Sequence, residues 1–214
     1  MPGSADYGKL YISLLMRKLA EAGGIDTVVD CGCGCGTYRT LLAPHLGKAT
    51  WIGIEAWEPY IDQFGLDDLY HRVINSDLRQ VDFASLAPVD LVIFGDVLEH
   101  MQKDEAQAAV GKALAVASYV LLSIPVVHYP QDEINGNPFE VHVKDDWDHQ
   151  QVMAAFPGIT AFFIHDHIGV YVLTGNALAT NRVTALQAVL PPLLHQQLPN
   201  DRMAWGGWAI ESHL

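Results

Sequence analysis

The chain has 214 residues, half of them hydrophobic, and a formal net charge of −13 at pH 7. This length fits one α/β domain, and the apolar content is enough for a sizeable core. No apolar run approaches membrane-spanning length, and Met1–Asp6 lacks the basic and apolar pattern of a signal peptide, so we expect no membrane partner. An acidic surface repels phosphate backbones, which disfavours DNA or RNA as a substrate.

The first part of the chain predicts a strand, a glycine-rich turn and a helix in direct succession. The strand is expected over Thr27–Cys31 and the helix over Tyr38–Leu46, and this order is typical of the start of a Rossmann-type domain. A dinucleotide site would need a glycine at position 37, where the chain has Thr37. Asp30 at the strand end would also repel a pyrophosphate and attract a cationic ligand. The turn itself has glycine at every second position, namely Gly32, Gly34 and Gly36.

An acidic residue followed by alternating glycines resembles the first motif of the class I S-adenosylmethionine (SAM)-dependent methyltransferases. The resemblance extends over roughly residues 25–175, judged by the alternation of predicted strands and helices. It implies an α/β fold, with a Rossmann-like, seven-stranded, mostly parallel sheet, helices on both faces and a C-terminal antiparallel hairpin. It also implies SAM as the cofactor and a single SAM-binding methyltransferase domain over residues 1–214. SAM carries an ammonium and a sulfonium group, which suits an acidic crevice.

Acidic residues follow four consecutive predicted strands, and carboxyl strand ends are where open α/β sheets bind ligands. Glu55 follows the strand Thr50–Ile54, at the place where a Rossmann-type domain positions the acid for the ribose hydroxyls; the alternative is a solvated loop glutamate. The resemblance implies that Ala56 packs on the adenine and that Asp77 and Leu78 bond it, although Asp77 could instead cap a turn. The predicted cofactor-binding residues are Asp30, Gly32, Cys33, Gly34, Glu55, Ala56, Asp77, Leu78 and Asp96.

The three cysteines alternate with the glycines of the turn. Their thiolates could in principle bind zinc, but the chain has no fourth cysteine and the glycine turn has the ligand-binding explanation given above. We therefore predict no metal site and interpret Cys33 as a small apolar filler under the ligand. Cysteines two residues apart in one turn are poorly placed to pair, which predicts a reducing, cytoplasmic location.

The segment after the fourth predicted strand, Val89–Phe94, contains Asp96, Leu98, Glu99 and His100. It resembles the fourth motif of small-molecule methyltransferases, which commonly reads D-x-L-E-H. Asp96 and Glu99 also fit a capping box for a following helix. His100 is a candidate catalytic base for a hydroxyl or weak amine acceptor, with a structural histidine as the alternative.

A long segment with little predicted regular structure, residues 126–146, follows the fifth strand and predicts a lid or acceptor-binding loop. The resemblance implies that it shapes the acceptor pocket and that a histidine lies near its end. His142 matches that place best and is the second catalytic candidate, with His128 behind it.

The end of the chain predicts two antiparallel strands, Ile159–His165 and Gly169–Leu173, and then a C-terminal extension over residues 176–214. The extension could pack on the domain or on a second copy of the chain, which would make a homodimer. It contains a helical pattern over Thr180–Leu190, and we assign it no function.

The sequence as a whole predicts methyl transfer from SAM to a small-molecule acceptor by in-line displacement. Two alternatives stay open. One is a metal-dependent RNA 3′-terminal ribose methyltransferase, whose metal site the set Asp96, Glu99, His100 and His142 resembles. The other is a non-catalytic SAM-binding regulatory subunit, in which the acceptor pocket would be blocked.

Overall fold

A computed structural model of the chain describes residues 6–206. The strands are β1 (Thr27–Cys31), β2 (Thr50–Glu55), β3 (Arg72–Asn75), β4 (Val89–Gly95), β5 (Ala117–Pro125), β6 (Ile159–His165), β7 (Ile168–Thr174) and β8 (Met203–Gly206). The α-helices are α1 (Lys9–Glu21), α2 (Thr37–Leu46), α3 (Glu58–Phe64), α4 (Leu66–Leu69), α5 (Lys103–Leu114), α6 (His149–Ala155), α7 (Ala177–Gln187) and α8 (Leu190–Gln197). Short 3₁₀ turns cover Leu78–Gln80, Phe83–Leu86, Leu98–His100 and Pro138–Glu140.

All eight strands form one mixed sheet in the order β3-β2-β1-β4-β5-β7-β6-β8. The strands β1 to β5 pair in parallel, whereas β7, β6 and β8 add to the sheet in antiparallel fashion. The chain moves outward from β1 in one direction and then returns to place β4 on the other side of β1. This reversal between β1 and β4 is the point at which open α/β sheets form a ligand crevice.

The predicted number of seven strands is wrong, because the extension contributes an eighth. Residues 203–206 pair with β6 at the edge of the sheet, with Phe163 opposite Trp205. Only Trp205 among these four residues favours a strand, whereas Ala204 and Gly206 disfavour one, so the segment carries little strand signal on its own. The free edge of β6 supplies the hydrogen-bond partners that make them a strand.

Helices cover both faces of the sheet, as predicted. The cluster on one face includes buried residues of α1, α2, α7 and α8, and the cluster on the other includes residues of α5 and α6. Gln187 at the end of α7 joins the extension to the domain, because its Oε1 accepts from Tyr11 Oη at 2.5 Å and its Nε2 donates to the Gly206 carbonyl at 3.1 Å. The extension up to residue 206 therefore packs on the domain.

Over residues 6–206, none of the helices combines the length and the apolar character that crossing a membrane requires.

Candidate active site

The glycine turn crosses the carboxyl end of β1 and leads into α2. Gly32, Gly34 and Gly36 have φ angles of 65°, 50° and 74°, a left-handed conformation that residues with a side chain rarely adopt. The amides of Gly32 and Cys33 donate to the Ile54 carbonyl at 2.9 and 3.0 Å. These bonds hold the turn against the end of β2, so that its backbone forms one wall of the crevice.

A cavity of about 240 Å³ lies beyond the carboxyl ends of the parallel strands. Every predicted cofactor-binding residue except Asp30 lines it, and so do both predicted catalytic histidines. The predicted residues that it brings together are Gly32, Cys33, Gly34, Glu55, Ala56, Asp77, Leu78, Asp96, His100 and His142.

Glu55 joins the end of β2 to the glycine turn. Its side chain is almost fully buried, at 5% exposure, and its oxygens accept from the amides of Gly34 at 2.9 Å and Trp57 at 2.8 Å. Burial raises the pKa of this carboxyl, and the bonds from the two amides oppose that rise. The carboxylate is therefore fixed at the cavity wall, where a ribose hydroxyl could donate to it.

Asp30 does not line the cavity. It lies beneath the glycine turn at 1% exposure, and its Oδ2 accepts from Tyr70 Oη at 2.7 Å. Burial raises the pKa of Asp30 to about 7, although the Tyr70 hydrogen bond favours the ionised form. Asp30 can thus act on a ligand only through its electric field and its support of the turn.

Asp77 both lines the cavity and caps the 3₁₀ turn that follows β3. Its Oδ1 accepts from the amide of Arg79 at 2.9 Å, and its carboxylate accepts from the Arg79 guanidinium. The Arg79 hydrogen bonds lower the pKa of Asp77. The two sequence interpretations of this residue, as a cap and as a ligand-facing acid, are therefore compatible.

The capping box predicted for Asp96 and Glu99 is wrong. Asp96 has a left-handed backbone with φ of 52°, and its carboxylate accepts from Ser123 Oγ at 3.1 Å and Tyr38 Oη at 3.3 Å. The next α-helix begins at Lys103. Strain of this kind at a non-glycine residue is typical of functional sites, and here it turns the Asp96 side chain toward the cavity edge.

Glu99, His100 and His142 form a cluster in the cavity wall, with one potential ligand atom of each within 4.8 Å of the other two. The rings of His100 and His142 meet edge to face, with their centroids 4.8 Å apart. Burial, and then the neighbouring His142, lower the pKa of His100 to about 4. Burial, and then Asp96, raise the pKa of Glu99. His128, in contrast, lies outside the cavity on the exposed surface, where it contacts Asp145.

The segment predicted as a lid contributes to the wall of the cavity. The Lys144 amide donates to the Glu99 carbonyl at 2.9 Å, which fastens the end of the segment to the turn after β4. Gln131 Nε2 donates to the Glu140 carbonyl at 2.7 Å and closes the segment on itself. Tyr129, Ile134 and Phe139 are its apolar contributions to the cavity wall.

Sequence reasoning missed several residues of the cavity wall, among them Tyr38 and Arg79. Tyr38 lies in the first turn of α2 and lines the cavity. Side chains of a helix point back toward its N-terminus, which here faces the strand ends, so this position could have been predicted from the sequence. Arg79 gave no such signal, because only the fold shows that its guanidinium turns back onto Asp77.

Comparison with known families gives a match over the central part of the sheet. Residues 28–118, less than half of the chain, match the family model described as a methyltransferase domain. This stretch is similar to a methyltransferase domain. It contains the glycine turn, Glu55, Asp77 and the segment after β4, and together with the acidic crevice it supports a SAM-dependent methyltransferase with SAM as its cofactor. No curated protein sequence matches the chain.

Solved structures of methyltransferases share the fold at low sequence identity. The N-terminal domain of EvdMO1 with SAH bound is 19% identical, with a TM-score of 0.55 over 76% of this chain and 81% of that one. Magnesium protoporphyrin IX methyltransferase (ChlM) from Synechocystis with bound SAM is 16% identical, with a TM-score of 0.56 over 82% and 87%. The small RNA methyltransferase HEN1 is 15% identical, with a TM-score of 0.58 over 83% of this chain and 27% of that one. At these identities the likeness establishes the Rossmann-like fold.

Proposed function

We propose that this protein transfers the methyl group of SAM to a small-molecule acceptor by in-line displacement. The observation that carries the proposal is one cavity that brings two sets of residues together. The glycine turn, Glu55 and Asp77 line it, and so do the histidines and the lid segment. A methyltransferase needs this arrangement, because donor and acceptor must meet along one line inside a shared site.

The glycine turn and the residues at or directly after the ends of β2 and β3 have the groups that SAM requires. SAM supplies the reactive methyl group, already activated by its positively charged sulfur, so the protein does not have to protonate a leaving group. Glu55 would accept hydrogen bonds from the ribose, and Asp77 with Leu78 would hold the adenine. The bare backbone at Gly32 and Gly34 would allow the methionine part to approach closely.

The histidines and the lid segment have the groups that orient and enclose an acceptor. Lid residues Tyr129 and Phe139 offer apolar surface, and His100 and His142 offer ring nitrogens. Closure of the lid segment over the cavity would exclude water, which strengthens the field of the acids on the cationic donor. The D-x-L-E-H segment after β4 and these two histidines are accordingly our candidates for the acceptor site.

The two alternatives receive less support. A non-catalytic SAM-binding subunit would have a blocked acceptor side, whereas the cavity continues to His100 and His142. An RNA ribose methyltransferase would need cationic side chains for phosphates. Among the described cavity-lining residues the one arginine is Arg79, which is paired with Asp77, and the chain carries a net charge of −13.

The location and the assembly of the protein are further proposals. Cys31, Cys33 and Cys35 are all free thiols, which supports a reducing, cytoplasmic setting. Homodimer formation stays a prediction that a measurement of mass in solution would test.

The proposal is tested by calorimetry with SAM and its demethylated product SAH, followed by labelled methyl transfer into a metabolite extract. We expect binding of both compounds and label in the low-mass fraction. Absence of SAM and SAH binding would refute the cofactor assignment. Binding without transfer into any fraction would favour the regulatory subunit, and transfer only into added RNA would favour the RNA enzyme.

A further inference from the structure

The tight turn between β6 and β7 contributes a histidine to the cavity that the proposed function does not use. The turn consists of Asp166 and His167, and His167 lines the cavity with its side chain 30% exposed. Asp166 has a left-handed backbone with φ of 53°, which aspartate adopts more readily than most residues, and its amide donates to the Arg202 carbonyl at 2.7 Å. A partly buried histidine in a cavity wall can exchange a proton with a bound ligand.

The two side chains of this turn form a hydrogen-bonded pair. His167 Nδ1 lies 2.6 Å from Asp166 Oδ2. The hydrogen bond with His167, and also the charge of Arg202, lower the pKa of Asp166, so its carboxylate is ionised and can only accept. The proton therefore lies on Nδ1 of His167, and the neutral ring has its lone pair on Nε2. A carboxylate in this position also stabilises the positive charge that the ring gains when Nε2 takes up a proton.

Contacts from two other parts of the chain hold His167 in place. Its ring meets Tyr7 edge to face, with the centroids 4.9 Å apart, and lies nearly parallel to the ring of Tyr129, at an interplanar angle of 24°. The Val126 amide donates to the His167 carbonyl at 2.8 Å. Because the ring and its backbone are both fixed, Nε2 has a defined direction before any ligand binds, which proton transfer requires.

The two histidines predicted from the sequence are less suited to take up a proton. The Nδ1 atom of His100 donates to the Val141 carbonyl at 3.1 Å. The Nδ1 atom of His142 donates to the Tyr129 carbonyl at 2.5 Å. A neutral carbonyl stabilises an imidazolium less than a carboxylate does. Burial, and then His142, lower the pKa of His100 to about 4, so its ring binds a proton weakly at neutral pH. These rings can orient an acceptor, whereas the pair between β6 and β7 has the groups to deprotonate one.

We propose that His167, oriented by Asp166, is the catalytic base that takes the proton of a phenolic acceptor, an inference that rests on the proposed function. The pKa of a phenol is about 10, far below that of an aliphatic alcohol, so an imidazole can assist the loss of its proton. Tyr129, beside His167, lines the cavity with an aromatic ring against which a phenol ring can pack. The base and the aromatic wall therefore favour the same class of acceptor.

The reaction consists of one proton transfer and one methyl transfer. The phenol gives its proton to Nε2 of His167 as its oxygen lone pair forms the bond to the methyl carbon of SAM. The carbon–sulfur bond breaks, with its electron pair going to sulfur. The products are an aryl methyl ether, neutral SAH and an imidazolium, which gives its proton to solvent water when the products leave.

The test compares phenol with 4-nitrophenol as acceptors for the full-length protein, with labelled SAM. At slightly alkaline pH the nitrophenol is already ionised and needs no base. His167→Asn should lower kcat for phenol about 10²–10⁴-fold and change kcat for nitrophenol little, because only the first acceptor has a proton to lose. Asp166→Asn keeps a residue that tolerates the left-handed backbone but removes the charge, and should show the same contrast with a smaller loss.

Two sets of controls accompany these variants. His128→Asn is the matched variant, because His128 also contacts an aspartate, Asp145, but lies outside the cavity with its side chain 69% exposed. Its kcat should equal that of the wild type with both acceptors. Benzyl alcohol and benzylamine are matched acceptors of the other classes, and the wild type should methylate both more slowly than phenol.

Calorimetry with SAH shows which variants are folded and keeps the outcomes separate. If a variant that binds SAH loses kcat equally with phenol and nitrophenol, the pair acts only structurally and His167 is not the base. A wild type that binds SAM but methylates neither phenol, or that prefers benzyl alcohol or benzylamine, overturns the phenol proposal, while methyl transfer into the metabolite extract would still support the proposed function. Absence of SAM and SAH binding would instead refute the proposed function itself.

Discussion

The glycine turn offers a matched pair of substitutions that separates ligand contact from backbone strain. Gly34 and Gly65 both have a left-handed backbone, with φ of 50° and 60°. A Cβ on Gly34 would have the Gly32 carbonyl oxygen at 3.9 Å as its nearest neighbour, and a Cβ on Gly65 would have no atom within 4 Å. Gly34 lines the cavity, whereas Gly65 is the C-cap of α3 outside it.

The expected effects follow from these two environments. An alanine in the left-handed region costs about 1–2 kcal/mol, so Gly34→Ala and Gly65→Ala should lose similar free energy of unfolding. Only the methyl group on Gly34 would enter the cavity, where we propose that SAM binds. Overpacking by one methyl group costs about 1–3 kcal/mol, which raises the Kd for SAM by about 5–150-fold in Gly34→Ala and leaves Gly65→Ala close to wild type.

Chemical denaturation measures the first effect and calorimetry with SAM or SAH measures the second. If both variants bind SAM as tightly as wild type, the ligand does not approach the turn and the placement of the methionine part is wrong. If both lose affinity equally, strain alone accounts for the change and the contact argument fails.

Three further predictions concern the residues around this turn. Glu55→Ala should raise the Kd for SAM by about 10–150-fold, because hydrogen bonds to a charged group contribute about 1.5–3 kcal/mol; unchanged affinity by calorimetry would remove the ribose assignment. The pKa of Asp30 is about 7 in the folded protein and about 3.8 in the unfolded chain. The folded state therefore holds the proton more tightly, so the free energy of unfolding should fall as the pH rises from about 3.8 to about 7 and then level off. The total decrease should be at most about 4 kcal/mol. Asp30→Asn should flatten that dependence, and equal slopes of melting temperature against pH in both proteins would contradict the assignment. Gly36→Ala would place a Cβ 2.2 Å from Leu69 Cδ2 at a φ of 74°, and should lower the free energy of unfolding by about 2–5 kcal/mol; a denaturation midpoint equal to that of wild type would show that the turn relaxes freely.

The local order of the chain was sufficient to group most of the predicted cofactor-binding residues, which the structure places around one cavity. Strand periodicity located β1 and β6 to the residue, and glycines and acids directly after strands marked the edge of the sheet. Parallel strands bring their carboxyl ends to one edge, so residues far apart in sequence could be grouped before any contact was known. Glu55, Asp77 and Asp96 line the cavity for this reason.

Side-chain direction and long-range pairing were decided by tertiary structure alone. Asp30 follows the same sequence rule as Glu55, yet the hydroxyl of Tyr70 draws it under the turn. The strand β8 exists because β6 presents a free edge to residues with little strand preference of their own. The cluster of Glu99, His100 and His142 forms because the segment 126–146, which contains His142, folds back against the turn after β4 and is held there by backbone hydrogen bonds. The spacing of residues in the sequence does not show where this segment folds back, because its path depends on the packing of the whole sheet.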